Sequence, residues 1–79
     1  MGTLEDLTDA LARDVIAAMD EIGDDRFFEK VSKLLLDMSP TTQEAYMTAI
    51  RVRLAERRAR KYVEDALHAA RAAKAKAPE

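Results

Sequence analysis

The chemistry that this chain could carry is concentrated in one basic segment, residues 51–61. Six of these eleven residues are Arg or Lys and one is Glu. On a helix, the basic side chains that share about half of the circumference, opposite Val52, Ala55 and Ala59, are Arg53, Arg57, Arg58, Arg60 and Lys61. We call these five residues the basic stripe. Guanidinium and ammonium groups at this density can pair with carboxylates or contact phosphates.

Three interpretations of the basic stripe are open. It is a solvated helix face that pairs partly with acidic residues of the same chain, a docking surface for an acidic protein, or a phosphate-binding surface for DNA or RNA. The charge of the whole chain argues against nucleic acid, because its pI is about 5.4 and nucleic-acid-binding domains are usually basic. Residues 1–38 carry ten acidic and four basic side chains, a net charge of −6, and residues 39–79 carry nine basic and five acidic, a net charge of +4.

Other reactive side chains are few and are not spaced for catalysis. The chain has no Cys and one His, His68, which falls on the charged face of a helix. Ser32 and Ser39 are the only serines, and the acidic residues 20–25 lack the fixed offsets and the Gly of a calcium-binding loop. We therefore expect no enzyme, no cofactor and no metal site.

The hydrophobic spacing is helical throughout and predicts an all-α protein. The first helix spans about 4–22, begins at a capping box formed by Thr3 and Asp6, and ends at Gly23. Its apolar stripe consists of Leu4, Leu7, Leu11, Val15, Ala18 and Ile22. The second helix spans about 25–37 with Asp24 as its N-cap. Its apolar stripe consists of Phe27, Phe28, Val31, Leu34, Leu35 and Met38.

The third helix is the longest and spans about 40–74. Ser39 followed by Pro40 is a strong helix start, and no residue breaks the helix before Lys74. Residues 45–54 are apolar nearly all round, which predicts that the first two helices pack on both sides of this part. The expected fold is a single three-helix domain, residues 1–74, with two shorter helices on a long C-terminal helix and a disordered tail at 75–79.

Beyond residue 55 the apolar arc of the third helix narrows, and six of its residues form one line. The arc consists of Ala55, Ala59, Tyr62, Val63, Ala66, Leu67, Ala69, Ala70 and Ala73. We call this line the seam; its members are spaced 4-3-4-3-4 and are Ala55, Ala59, Tyr62, Ala66, Ala69 and Ala73. This is the spacing of a coiled coil, and small side chains allow a second helix to approach closely. The seam therefore predicts a partner, which is the first helix, a second copy of the chain or a foreign protein. A core as small as that of a 79-residue chain favours self-association, for example as a homodimer.

These patterns favour a small non-enzymatic regulatory or adaptor protein that acts by stoichiometric protein binding, such as an antiactivator of a transcription factor or an accessory subunit. The candidate partner-binding residues are the basic stripe together with Ala59, Tyr62, Ala66 and Leu67. The partner is another protein or a second copy of the chain. The alternative is a DNA- or RNA-binding protein that uses the basic stripe. No targeting segment is recognised, so a cytoplasmic location is expected, and the abundance of Ala and Arg suits a bacterial source.

Overall fold

The computed structural model describes residues 2–76, which form three helices. They are α1 (Thr3–Ile22), α2 (Phe27–Met38) and α3 (Pro40–Lys76). Helices α1 and α2 pack against α3, which confirms the predicted fold class, and helix is the only regular secondary structure within residues 2–76. The prediction of a disordered tail is wrong for residues 75 and 76, which continue α3; residues 77–79 lie outside the described part of the chain.

The turn between α1 and α2 is built on Gly23. Its φ of 77° lies in the left-handed region, where glycine has no steric penalty. The backbone N–H groups of Gly23 and Asp24 both donate to the carbonyl of Met19, at 2.8 and 3.2 Å. Asp24 is not the N-cap that the sequence predicted. Its carboxylate instead accepts a hydrogen bond from the N–H of Arg26 at 3.0 Å and fixes the turn that precedes Phe27.

Ser39 is the single residue between α2 and α3, and it performs the predicted capping role. Its Oγ accepts a hydrogen bond from the backbone N–H of Thr42 at 3.2 Å, as an N-cap does. Pro40 has no N–H and disfavours a helical conformation at the preceding residue, so Ser39 is extended and the chain changes direction there. The predicted cap of α1 is wrong, since Gly2 stands at that position and no side chain caps the helix.

The core lies where α1 and α2 meet the first part of α3. Its four fully buried apolar residues are Ala12, Val15, Tyr46 and Ile50. The Tyr46 hydroxyl donates to the carbonyl of Phe28 at 3.0 Å, and the Gln43 amide donates to Ser32 Oγ at 2.8 Å. These two bonds fix α2 against α3 and satisfy polar groups that would be costly to bury alone.

Several residues of the predicted apolar stripes lie outside this core. Leu7 is 65% exposed, Leu34 is 64% exposed and Met38 is 82% exposed. The 45–54 segment is not buried on all sides either, because Val52 is 62% exposed. Its outer side, at Thr48 and Val52, is exposed and is bordered by α1.

The rest of α3 projects beyond the three-helix core. Every residue from Ala55 to Lys76 is exposed, and we call this part of the chain the arm. The described residues extend 64 Å along the longest axis and 30 Å along the next. The arm therefore contributes length and surface and does not contribute to the core.

Candidate interaction surface

The apolar side of α3 changes from one face of the helix to the opposite face at the point where the arm begins. Tyr46 and Ile50 are buried and Leu54 packs against them. Ala59 follows Ile50 by nine residues and Val63 follows Leu54 by nine residues, which is about two and a half helical turns. These later residues therefore point away from the side on which α1 and α2 lie.

The side of α3 that carries the core becomes charged in the arm. Arg57 follows Ile50 by seven residues and Lys61 follows Leu54 by seven residues, which is about two turns. The charged side of the arm thus continues the core-facing side of the helix past the ends of α1 and α2. A helix that is exposed on all sides is usually polar all round. The apolar line on the other face of the arm therefore indicates a surface that binds another helix.

Two members of the basic stripe bind acidic residues of α1. Arg53 Nε and Nη2 donate to the two carboxylate oxygens of Asp9 at 2.8 and 2.7 Å, a bidentate geometry that arginine favours. This hydrogen bonding holds the pKa of Asp9 below its ordinary value and raises the pKa of Arg53. Arg57 pairs with Asp20 at 2.8 Å. The two pairs join α1 to α3 on either side of the residue at which the arm begins.

Two further members of the basic stripe pair within α3. Arg60 pairs with Glu56, and Lys61 Nζ lies 2.8 Å from an oxygen of Asp65, each with a spacing of four residues. Their hydrogen bonds to these carboxylates raise the pKa values of Arg60 and Lys61. Arg58 is the one member of the stripe without an ion pair among residues 2–76. Together with the carboxylates that pair with it, the basic stripe therefore forms a surface of mixed charge.

The seam is exposed along its whole length, and the structure shows that it begins earlier than the sequence suggested. Tyr62 is 77% exposed. The alternating spacing of three and four continues backwards through Val52, Thr48 and Ala45 on the outer side of the three-helix domain. This continuation cannot be recognised in the sequence, because residues 45–54 have apolar side chains nearly all round the helix and a second apolar line is not separable from the residues that form the core. From Ala45 to Ala73 the extended seam has nine positions.

The candidate partner-binding residues fall on two opposite sides of α3. Ala59, Tyr62 and Ala66 lie on the seam, whereas the basic stripe, except for Arg58, lies on the side that carries the core. Arg58 is about one turn from both Ala55 and Tyr62 and lies beside the seam. Leu67 lies beside the seam, is 46% exposed, and lines a shallow depression with Ala59 and Val63. A single partner helix can cover the seam or the basic stripe but cannot cover both.

Two further features, metal-ligand clusters and membrane-spanning helices, can be assessed in the part of the chain that the structure describes. Within residues 2–76, no cluster of three or more His, Cys, Asp or Glu side chains is arranged to hold a metal ion. None of the helices in that range combines the length and the apolar character that crossing a membrane requires.

Comparison with known proteins adds no further assignment. No protein-family model, curated protein or solved structure matches the chain. The candidate site therefore rests on the geometry of the chain's own residues.

Proposed function

We propose that this chain is a small regulatory or adaptor protein without catalysis, which acts by binding a helix of a protein partner along the seam. The observation that carries the proposal is the change of apolar face in α3. Burial of Tyr46, Ile50 and Leu54 by α1 and α2 explains the first apolar line. The second line, which includes Ala59, is covered by nothing in residues 2–76.

The composition of the seam suits helix-on-helix binding. Small side chains at coiled-coil positions let two helix axes approach to about 8 Å, the short end of the usual range. Tyr62 adds a large amphipathic ring, of the type that is enriched at interfaces. Val52, Val63 and Leu67 flank the line or extend it and are each about half exposed or more.

The ion pairs of the basic stripe favour protein binding over phosphate binding. Four of its five members already have carboxylate partners in the chain. A phosphate backbone would have to displace those carboxylates and would meet Glu56, Glu64 and Asp65 on the same arm. Because the affinity of a protein for nucleic acid depends on the number of phosphates it neutralises, a stripe of mixed charge is a poor basis for such binding.

A capture experiment from the native cell extract tests the proposal. Tagged full-length chain is used as wild type, as the seam variant Ala66→Glu and as the control His68→Glu, with nuclease-treated and untreated halves of each extract. His68 lies two residues from Ala66 on the opposite side of the exposed arm, so both variants introduce the same carboxylate without touching the core. A fourth sample, Arg57→Glu with Arg58→Glu, tests the basic stripe.

The expected result is recovery of a defined protein, or of untagged chain, in near-stoichiometric amount from both halves of the extract. This recovery is lost with Ala66→Glu and kept with His68→Glu. Recovery of nucleic acid from the untreated half alone, together with its loss in the Arg57 and Arg58 variant, would replace the proposal with a phosphate-binding function. Equal recovery by the seam variant and its control would also refute it.

A further inference from the structure

We infer that the helix which occupies the seam is that of a second copy of the chain, arranged antiparallel, so that the two α3 helices pair along residues 48–73. This inference rests on the proposed function and names its partner. Three features of α3 support it: the sizes of the opposing side chains, the charges beside the seam and the charges at the two ends of the helix.

Opposing side chains along the seam are complementary in one antiparallel register. In an antiparallel coiled coil, each core residue at heptad position a lies beside a residue at position d of the other helix. In this chain Val52, Ala59 and Ala66 are at position a, and Ala55, Tyr62 and Ala69 are at position d. Ala59 then lies opposite the partner's Tyr62, Ala55 opposite the partner's Ala66, and Val52 opposite the partner's Ala69. Every large side chain therefore meets a small one. In a parallel pair, Tyr62 would meet the partner's Tyr62 between layers of alanine, where one bulky layer holds the helices apart.

The charges beside the seam select the same register. On one flank, this register brings Arg58 close to the partner's Asp65, twice in the symmetric dimer, and Arg58 is the stripe residue without an ion pair within residues 2–76. A shift of one heptad in one direction would bring Arg58 next to the partner's Arg58 and Glu56 next to the partner's Glu56. A shift in the other direction would bring Asp65 next to the partner's Asp65. Like charges at these positions are unfavourable.

The ends of α3 are complementary in charge to the partner's α1. Residues 66–76 carry three bases, Arg71, Lys74 and Lys76, and no acid. The antiparallel register places this basic end beside Ala45, Thr48 and Val52 of the partner subunit. In each chain those residues line a shallow depression together with Glu5 and Asp9 of α1, and residues 3–12 carry three acids and no base. A parallel pair would instead place the two acidic α1 helices at the same end of the dimer.

The available surface is long enough for a stable pair. Residues 48–73 span roughly 39 Å at 1.5 Å per residue. The flanking Val63 and Leu67, together with the depression beside α1, widen the contact beyond the line of alanines. Residues 55–73 are open to a second helix because all of them are exposed, and α1 borders the extended seam only at the depression that it lines with Ala45, Thr48 and Val52.

Disulfide trapping tests both the partner and the register. The chain has no Cys, so the full-length variants Ala55→Cys and Ala66→Cys each carry one thiol at an exposed position. The two variants, one of them with a tag that changes its mass, are mixed and equilibrated in a glutathione redox buffer. The proposed register brings the Cys at position 55 of one chain close to the Cys at position 66 of the other. Identical thiols would lie roughly 16 Å apart, at 1.5 Å per residue, which is too far for a disulfide.

The expected product is the mixed disulfide, in excess over both products that join identical variants. An excess of like-with-like disulfides would overturn the antiparallel register. Sedimentation equilibrium of cysteine-free chain provides an independent readout. The dimer should be seen to form with rising concentration, and Ala66→Glu should weaken it by at least about tenfold, because each dimer would bury two unpaired carboxylates. His68→Glu should leave the dissociation constant within about twofold, as surface substitutions usually do.

A chain that stays monomeric at high-micromolar concentration, and gives neither kind of disulfide in excess, would overturn the second-copy inference. The capture experiment separates this failure from a failure of the proposed function. Seam-dependent capture of a different protein by a monomeric chain would leave the proposed function standing with another partner. If the seam substitution affected neither self-association nor capture, both proposals would be refuted.

Discussion

Arg53 and Asp9 join α3 to α1 through two parallel hydrogen bonds of 2.8 and 2.7 Å. The hydrogen bonds from Arg53 lower the pKa of Asp9 from its ordinary value of 3.8. A carboxyl group whose pKa is lower in the folded state than in the unfolded state stabilises the fold above the unfolded pKa, and this contribution is lost as the pH falls through the folded pKa. The contribution of this ion pair to the packing of α1 on α3 should therefore fall as the pH becomes acidic.

The first prediction concerns Asp9→Asn. The variant should be less stable than wild type at pH 7. The difference between the two should begin to shrink near pH 4, where the unfolded chain starts to bind the proton, and should be lost at lower pH as the pH falls through the lowered pKa of folded Asp9. Urea unfolding followed by circular dichroism at a series of pH values measures this. Asp14→Asn is the control, because within residues 2–76 Asp14 forms an ion pair with its chain neighbour Arg13 and none with a residue of another helix. A constant difference between Asp9→Asn and wild type from neutral to acidic pH would contradict the assigned role of the pair.

The second prediction concerns the buried hydroxyl of Tyr46. Burial raises its pKa from 10.0 to about 12, so the folded state keeps the proton after the unfolded chain has begun to lose it. The stability that this proton contributes is complete below pH 10 and is lost as the pH rises through about 12. In Tyr46→Phe this part of the alkaline dependence should be absent. At pH 7 the variant should lose about 1 kcal/mol, the usual net value of one hydrogen bond.

Unfolding by urea at pH 8, 10 and 11 compares Tyr46→Phe with wild type. Alkaline pH affects the stability of both proteins through groups other than Tyr46, so the informative quantity is the difference between the two proteins at each pH. The free energies of unfolding of wild type and variant should converge as the pH rises. Parallel curves would show that the Tyr46 hydroxyl does not titrate differently in the folded and unfolded states.

The third prediction concerns Ser39, which caps α3 and separates it from α2. Ser39→Ala should destabilise the chain by about 1 kcal/mol, because the N–H of Thr42 loses its side-chain acceptor. Ser39→Asp is the matched variant, since its carboxylate can accept the same hydrogen bond and also favours a helix N-terminus. Thermal or urea unfolding distinguishes the two. Equal losses in both variants would mean that the hydroxyl has a role other than capping.

The main elements could be predicted from the sequence because their signals are local. Gly23, Ser39 and Pro40 act on the backbone within a few residues, so the ends of the helices were predicted to within about two residues, the usual uncertainty of helix ends. The rotation of each helix about its own axis, which decides which residues face the core, is harder to predict. Leu7 and Leu34 have the spacing of core residues, but the core is so small that Thr8 and Ser32 take buried positions and these leucines remain exposed. Rotation depends on long-range packing, which a single helix does not encode.

The candidate site also has a part that local spacing predicts and a part that depends on long-range contacts. The line of alanines in the arm was visible because it repeats at coiled-coil spacing, whereas its continuation to Val52 and Ala45 was hidden among the apolar residues of the core segment. The carboxylate partners of Arg53 and Arg57 are 44 and 37 residues away in the chain. No local pattern could identify them individually, although the opposite charges of the two halves of the sequence indicated that such pairs would form.

The fourth prediction tests the flanking charges of the proposed dimer by exchanging them. Arg58→Asp alone should weaken the dimer by roughly three- to tenfold, because two like-charged pairs replace two attractive ones at an exposed flank. Asp65→Arg alone should weaken it similarly. The double variant Arg58→Asp with Asp65→Arg should recover most of the affinity, since the attractive pairs are restored with their signs reversed. Sedimentation equilibrium of the four proteins gives the coupling between the two positions.

Glu64→Arg serves as the control for the charge exchange. It reverses a charge on the adjacent residue, on the side of the arm that faces away from the seam, and should leave the dimer unchanged. The Lys61–Asp65 pair within the arm is lost in both variants that replace Asp65, so it cannot produce the recovery expected of the double variant. If the losses of dimer affinity from the two single variants simply added in the double variant, Arg58 of one chain and Asp65 of the other would be too far apart to interact. This result would exclude the proposed register. The disulfide test would then decide among other pairings along the seam.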